Sequence, residues 1–153
     1  MKRVFVTVLF LLIGFVSFVP SVQARQRVVT DIGKTGFVSN GLYFKINEIA
    51  ISSKKVSVTV QAKNKSILSQ AVYLELTDNK GVIYKPENKD SIVFFRPLKF
   101  NKPVTQKISF VVNGAGNKYW LAVYSKDIFK KNKKQMITKM SLYEAKKELN
   151  SKR

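Results

Sequence analysis

Val56-Ser57-Val58-Thr59-Val60-Gln61-Ala62 alternates an apolar with a polar side chain at every step. Successive side chains of a strand point to opposite faces, so this pattern predicts a strand with a buried face (Val56, Val58, Val60, Ala62) and a wet face (Ser57, Thr59, Gln61). Asn64-Lys65-Ser66 then reads as a turn. It also matches a glycosylation triplet, but turn chemistry accounts for it fully.

Reading outward, Val72, Leu74 and Leu76 form the next inward row, against Tyr73, Glu75 and Thr77. Asp78-Asn79-Lys80-Gly81 is a hairpin turn, after which Val82 and Tyr84 continue the ladder as far as Pro86. Upstream, Gly41 opens Leu42-Tyr43-Phe44-Lys45-Ile46. Phe44 and Ile46 share one parity and Ile49 and Ile51 the other, which predicts a bulge or twist near Asn47-Glu48. Residues 25–40 read as a loose lead-in with a strand at its end.

Downstream, the nearly all-apolar Ser91-Ile92-Val93-Phe94-Phe95 reads as a short strand. Pro97 and Pro103 bracket a polar connection. Ile108, Phe110 and Val112 alternate with Lys107, Ser109 and Val111. The turn run Asn113 to Asn117 leads into Tyr119-Trp120-Leu121-Ala122-Val123-Tyr124, a strand with aromatics at both parities. About seven strands at ten-residue spacing, with no helix between them, predict an all-β fold: an antiparallel β-sandwich over residues 25–125, which the resemblance given below makes immunoglobulin-like.

Residues 126–153 differ, with ten basic and three acidic residues. Lys130, Lys131, Lys133 and Lys134 are the densest cluster. Ser141-x-x-Glu144 has capping-box spacing, and Leu142, Ala145 and Leu149 form one narrow apolar stripe. The expectation is a basic C-terminal tail ending in a short helix that docks weakly or frays. At the other end, Lys2 and Arg3 precede an apolar run from Val4 to Val19. Val22 and Ala24 then stand at −3 and −1 of a cut before Arg25, so residues 1–24 read as a secretory signal peptide.

Residues 41–125 resemble the secreted bacterial immunoglobulin-like domain of unknown function allied to the mycobacterial immunoprotective extracellular antigen. The likeness rests on Val56-x-Val58-x-Val60-x-Ala62-Lys63-Asn64-Lys65-Ser66 and on Leu74-x-Leu76-x-Asp78-x-x-Gly81-x-x-Tyr84. It continues in Ile108-x-Phe110-x-Val112 and Tyr119-x-Leu121-x-Val123. Pro103 is followed by Val104 where that family often has Pro-Gly. The resemblance implies an extracytoplasmic sandwich that binds something; it implies no reaction and carries no active-site residues.

The 153 residues include no His and no Cys, which excludes His- or Cys-dependent catalysis, disulfides and ordinary zinc or haem sites. Glu75 with Asp78 and Glu87 with Asp90 are explained by turn chemistry and solvation. No Ser stands in a nucleophile elbow. The reading is therefore non-enzymatic, without cofactor or metal. The formal charge is +19, and a surface so basic seeks anionic partners. Lys far outnumbers Arg, which favours loose contact with phosphate or carboxylate over base-specific readout, and so disfavours nucleic acid. The function expected is a secreted binding module retained at the cell envelope. Its partner would be an anionic envelope polymer, a membrane surface or lipid headgroup, or an extracytoplasmic protein. A structural or adhesion component assembling at the cell surface is the alternative. Lys130, Lys131, Lys133 and Lys134 are the expected anion-binding residues, and Trp120 and Tyr124 the expected aromatic binding face.

Overall fold

The computed structural model describes residues 29–67, 70–114, 118–127 and 134–152. The signal-peptide segment and Lys130, Lys131 and Lys133 lie outside them. The described chain is mostly antiparallel β, in two sheets, with one short C-terminal helix. The strands are β1 (Val29–Asp31), β2 (Gly36–Ser39), β3 (Leu42–Ile51), β4 (Lys55–Asn64), β5 (Gln70–Asp78), β6 (Ile83–Tyr84), β7 (Pro103–Val111), β8 (Tyr119–Asp127) and β9 (Lys134–Ser141). Helix α1 spans Leu142–Ser151. One sheet has the order β1-β2-β3-β4-β7 and the other β6-β5-β8-β9. Among the described residues no helix is long and apolar enough to cross a membrane.

A single core joins the two sheets. Val56, Val58, Val60 and Ala62 are fully buried, as their alternation predicts, and meet Phe44, Ile46, Ile108 and Phe110 of the same sheet. Val72, Leu74, Leu76, Leu121 and Val123 come from the other. The expected bulge is present: the β3–β4 register shifts between Ile46 and Glu48, which returns Ile49 to the buried face while Ile51 ends exposed. The β2–β3 hairpin turns through Asn40 and Gly41, both at positive φ (47° and 78°), the two-residue geometry that Asn-Gly favours.

Three expectations are corrected. Among the described residues nine strands form rather than about seven, because the lead-in folds into β1 and β2 and the tail supplies β9. Residue 125 is thus no boundary: β9 pairs with β8 from Lys126↔Lys134 to Trp120↔Ser141. Third, Ser91 to Phe95 is not a strand but two short 3-10 turns, Lys89–Ser91 and Val93–Phe95. Ile92 and Phe94 are buried at i, i+2 spacing, which imitates a strand in sequence. The backbone closes locally instead, with Phe95 N donating to Ile92 O and Arg96 N to Val93 O. The Gln106 carboxamide takes the place of a pairing strand. Its Oε1 accepts from Val93 N at 2.9 Å and its Nε2 donates to Ser91 O at 3.0 Å.

Helix α1 is capped as its spacing predicts, with Glu144 N donating to Ser141 Oγ. It is firmly docked rather than frayed: Leu142 and Ala145 are fully buried and Leu149 packs against the core. Glu148 fastens the far end. It accepts from Lys34 N at 2.5 Å and pairs with Lys152.

Candidate functional site

The outward side chains of the four-stranded sheet converge on one surface. The register sets Tyr73 of β5 opposite Tyr124 of β8, Glu75 opposite Ala122, and Thr77 opposite Trp120. On the far side of β8, Ala122 faces Lys139, Trp120 faces Ser141, and Tyr124 faces Met136. The parity that the sequence left open is settled by burial: Tyr119, Leu121 and Val123 point inward, leaving Trp120 and Tyr124 half-buried on the outer face.

Two rings on this face carry a lysine. Lys134 Nζ lies 4.8 Å from the centroid of Tyr73, and Lys139 Nζ 5.5 Å from that of Trp120, both within cation–π reach. Tyr73 also stacks on Phe95, with centroids 4.7 Å apart, and donates from its hydroxyl to Phe95 O at 3.2 Å. Ala122, the smallest side chain of its row, lies between Trp120 and Tyr124 along β8. Those two positions are about 13 Å apart at the strand rise, and Ala122 between them is only 3% exposed, covered by its neighbours.

The electrostatics are mixed. Glu75 Oε1 is 3.9 Å from Lys134 Nζ, which offsets part of that charge. Burial, with a hydrogen bond to Glu75 second, raises the Tyr124 phenol above its ordinary value, so it remains a neutral donor. Met136 is 55% exposed beside Tyr124 and adds a soft apolar contact.

The structure thus brings Trp120, Tyr124 and Lys134 onto one face. Phe94 is core, whereas Phe95 belongs to this surface. Lys139 and Tyr73 complete the site. Lys139 escapes a sequence reading because the β8–β9 register shifts between Val123 and Tyr124, which blurs the alternation in 134–141. Three of the four carboxylates weighed as acid pairs are engaged apart: Asp78 in its hairpin, Glu75 with Lys134, and Glu87 2.7 Å from Lys55. Among the described residues no group of three or more His, Cys, Asp or Glu could hold a metal. Comparison of the chain with protein-family models, with curated proteins and with solved structures found no match.

Proposed function

We propose that this chain is an exported, non-catalytic binding module of immunoglobulin-like topology that holds an anionic envelope partner on the outer face of its four-stranded sheet. The strand order supports the topology. β3, β4 and β7 fit strands A, B and E, and β6, β5, β8 and β9 fit C′, C, F and G; the turns at 89–95 stand where strand D would run. The observation that carries the function is the pair of lysines held over aromatic rings on one open face, Lys134 on Tyr73 and Lys139 on Trp120. Rings offer contact area to a polymer repeat, and ammonium groups select those repeats that bear negative charge. The same two lysines lie on edge strand β9, where charge opposes strand-to-strand stacking, so assembly through that edge has less support.

The test is co-sedimentation of the full chain with an insoluble acidic polysaccharide and with phosphatidylglycerol vesicles, at low and high salt. Binding that weakens with salt, and that Trp120→Ala with Lys139→Ser reduces, supports the reading. Binding that ignores salt, or is absent at low salt, overturns it.

A further inference from the structure

The five-stranded sheet has an outer face too, and one cluster of cations there has no ion-pair partner among the described residues. Tyr43 and Lys45 of β3 lie opposite Lys63 and Gln61 of β4, and Lys63 lies opposite Pro103 of β7. The block is therefore two-by-two, with the lysines on one diagonal and the tyrosine and glutamine on the other. Diagonal neighbours across an antiparallel pair are about 7–8 Å apart, within reach of long side chains for a shared ligand. Lys65 continues the β4 row. Tyr43, Gln61, Lys63, Lys65 and Pro103 line a depression of about 330 Å³.

Its chemistry differs from that of the opposite face. Among the described residues, ion pairs engage Lys34, Lys55, Lys134 and Lys152, but not Lys45, Lys63 or Lys65. No carboxylate lines the depression. Glu48, farther along β3, accepts from the Thr59 hydroxyl at 3.3 Å. Ammonium, carboxamide and phenol groups can all donate to acceptor oxygens, and nothing lining the hollow repels an anion. Tyr43 and Pro103 add ring surface on which a flat apolar face can rest. The volume is at the small end of ligand pockets, which begin at about 300 Å³, so the hollow suits one ring rather than an extended ligand.

We propose that the depression bounded by Tyr43, Gln61, Lys63, Lys65 and Pro103 is a second binding site, for a sugar ring carrying a carboxylate or phosphate. The assignment rests on reading the chain as a binder of anionic partners, but it puts a separate subsite on the opposite sheet. Charge alone would hold any polyanion; the ring surface beside the lysines selects an acidic saccharide over a bare phosphate chain.

Calorimetry of the full chain separates these readings with three soluble probes: polygalacturonate, neutral dextran and linear polyphosphate. One variant, K45S/K63S/K65S, strips the depression of its two lysines and removes the neighbouring Lys45. A second, K85S/K89S/K99S, removes the same charge from exposed positions elsewhere. The first should bind polygalacturonate about tenfold more weakly or worse, a loss of about 1.4 kcal/mol. The charge-matched control should lose far less, and dextran should not bind. Tyr43→Ala should weaken polygalacturonate while leaving polyphosphate unchanged. Equal losses in the two triple variants would reduce the depression to part of a diffuse positive field. Indifference of both polymers to Tyr43→Ala would remove the saccharide assignment. If Trp120→Ala abolishes polygalacturonate binding while K45S/K63S/K65S matches its control, the opposite face stands and this site falls. If the unmodified chain binds no anionic probe, both fall.

Discussion

Tyr84 donates its hydroxyl hydrogen to Asp78 Oδ2 at 2.9 Å, while the other oxygen of Asp78 accepts from Lys80 N and Val82 N, each at 2.9 Å. One carboxylate, 3% exposed, thereby closes the β5–β6 hairpin and ties it to a ring that meets Tyr119 edge-on at 6.4 Å. Burial pushes the Asp78 carboxyl up, but the hydrogen bonds from Val82, Tyr84 and Lys80, with the Lys80 charge, prevail and hold it below its ordinary 3.8. Burial, then the hydrogen bond and charge of Asp78, raise the Tyr84 phenol above 10.0.

The two shifts act at opposite ends of the pH scale. Asp78 contributes stability that is complete above its unfolded value and lost as pH falls through the lowered folded value. Tyr84 contributes stability that is complete below pH 10.0 and lost as pH rises through its raised folded value. Melting temperature measured across pH should therefore fall at both ends. Asp78→Asn should flatten the acid limb, leaving the part due to Glu148, whose carboxyl is also lowered, first by Lys152 and then by Lys34 N. Tyr84→Phe should flatten the alkaline limb in part, since Tyr124 remains, and the acid limb slightly, since Asp78 loses one of the bonds that lower it. Limbs that both variants leave unchanged would separate this hairpin from the pH response.

Val58 is fully buried in the core, whereas Thr59 looks outward. Val58→Asp strands a carboxylate among apolar side chains and should cost about 3 kcal/mol or more. Thr59→Gln keeps a polar group on the wet face and should cost about 0.5 kcal/mol. Urea unfolding of both variants measures the difference. Similar costs would contradict the register of β4.

Gly33 has φ +88°, and a Cβ there would stand 2.6 Å from Glu148 Oε1. Gly33→Ala should thus push Glu148 off the Lys34 amide and loosen the end of α1, beyond the strain of the backbone itself. Hydrogen exchange in residues 145–151 should rise several-fold, with β4 and β5 still protected, as for a local opening. Glu148→Gln, which keeps the shape but loses the charge, should show a smaller rise. Unchanged exchange in both would mean that packing of Leu142 and Ala145 alone holds the helix.

Gln106 substitutes for a strand at the edge of β7, so Gln106→Ala frees Val93 N and Ser91 O together. The expected loss is about 1 kcal/mol, since water can reach both groups. Gln106→Glu keeps the acceptor for Val93 N and loses the donor to Ser91 O, and should recover part of that loss. A Glu variant as weak as the Ala variant would show that the donated bond dominates.

These particulars explain what a linear reading captures. β4, β5 and β7 each carry an unbroken run of apolar residues along one face (Val56 to Ala62, Val72 to Leu76, Ile108 to Val112 into the loop) against a mixed face, so period-two counting finds both the strands and their inward residues. It fails at Ile92 and Phe94, where alternation arises from two local turns, and only Gln106, eleven or more positions onward, reveals what replaces the ladder. It fails again at β9, where Lys134 and Lys139 are polar enough to read as tail and the bulge against β8 breaks the count. Trp120 and Tyr124 were visible as candidates because one face of an aromatic strand must look outward. Lys139 was not, and Lys134 stood out only as part of a basic cluster and not as the partner of Tyr73, because cross-strand register depends on bulges that no single strand encodes.

The last prediction separates the lysine cluster into two roles. Lys130, Lys131, Lys133 and Lys134 fall within five consecutive positions, but Lys134 is held 4.8 Å from the Tyr73 ring and 3.9 Å from Glu75. Changing Lys130, Lys131 and Lys133 to Ser should weaken binding to every anionic probe alike and flatten its salt dependence, because each neutralised contact releases a counterion. Trp120→Ala and Lys139→Ser act through one ring–ammonium pair 5.5 Å apart, so their effects on polymer binding should not add. The coupling energy should be about 0.5–1 kcal/mol, with little change in melting temperature for Lys139→Ser, since an exposed charge contributes little to folding. Co-sedimentation of the two single variants and the double variant, over a range of salt, measures both quantities. Additive losses would mean that ring and lysine contact the partner independently, and a salt slope unchanged in the Lys130, Lys131, Lys133 variant would confine anion binding to the two sheet faces.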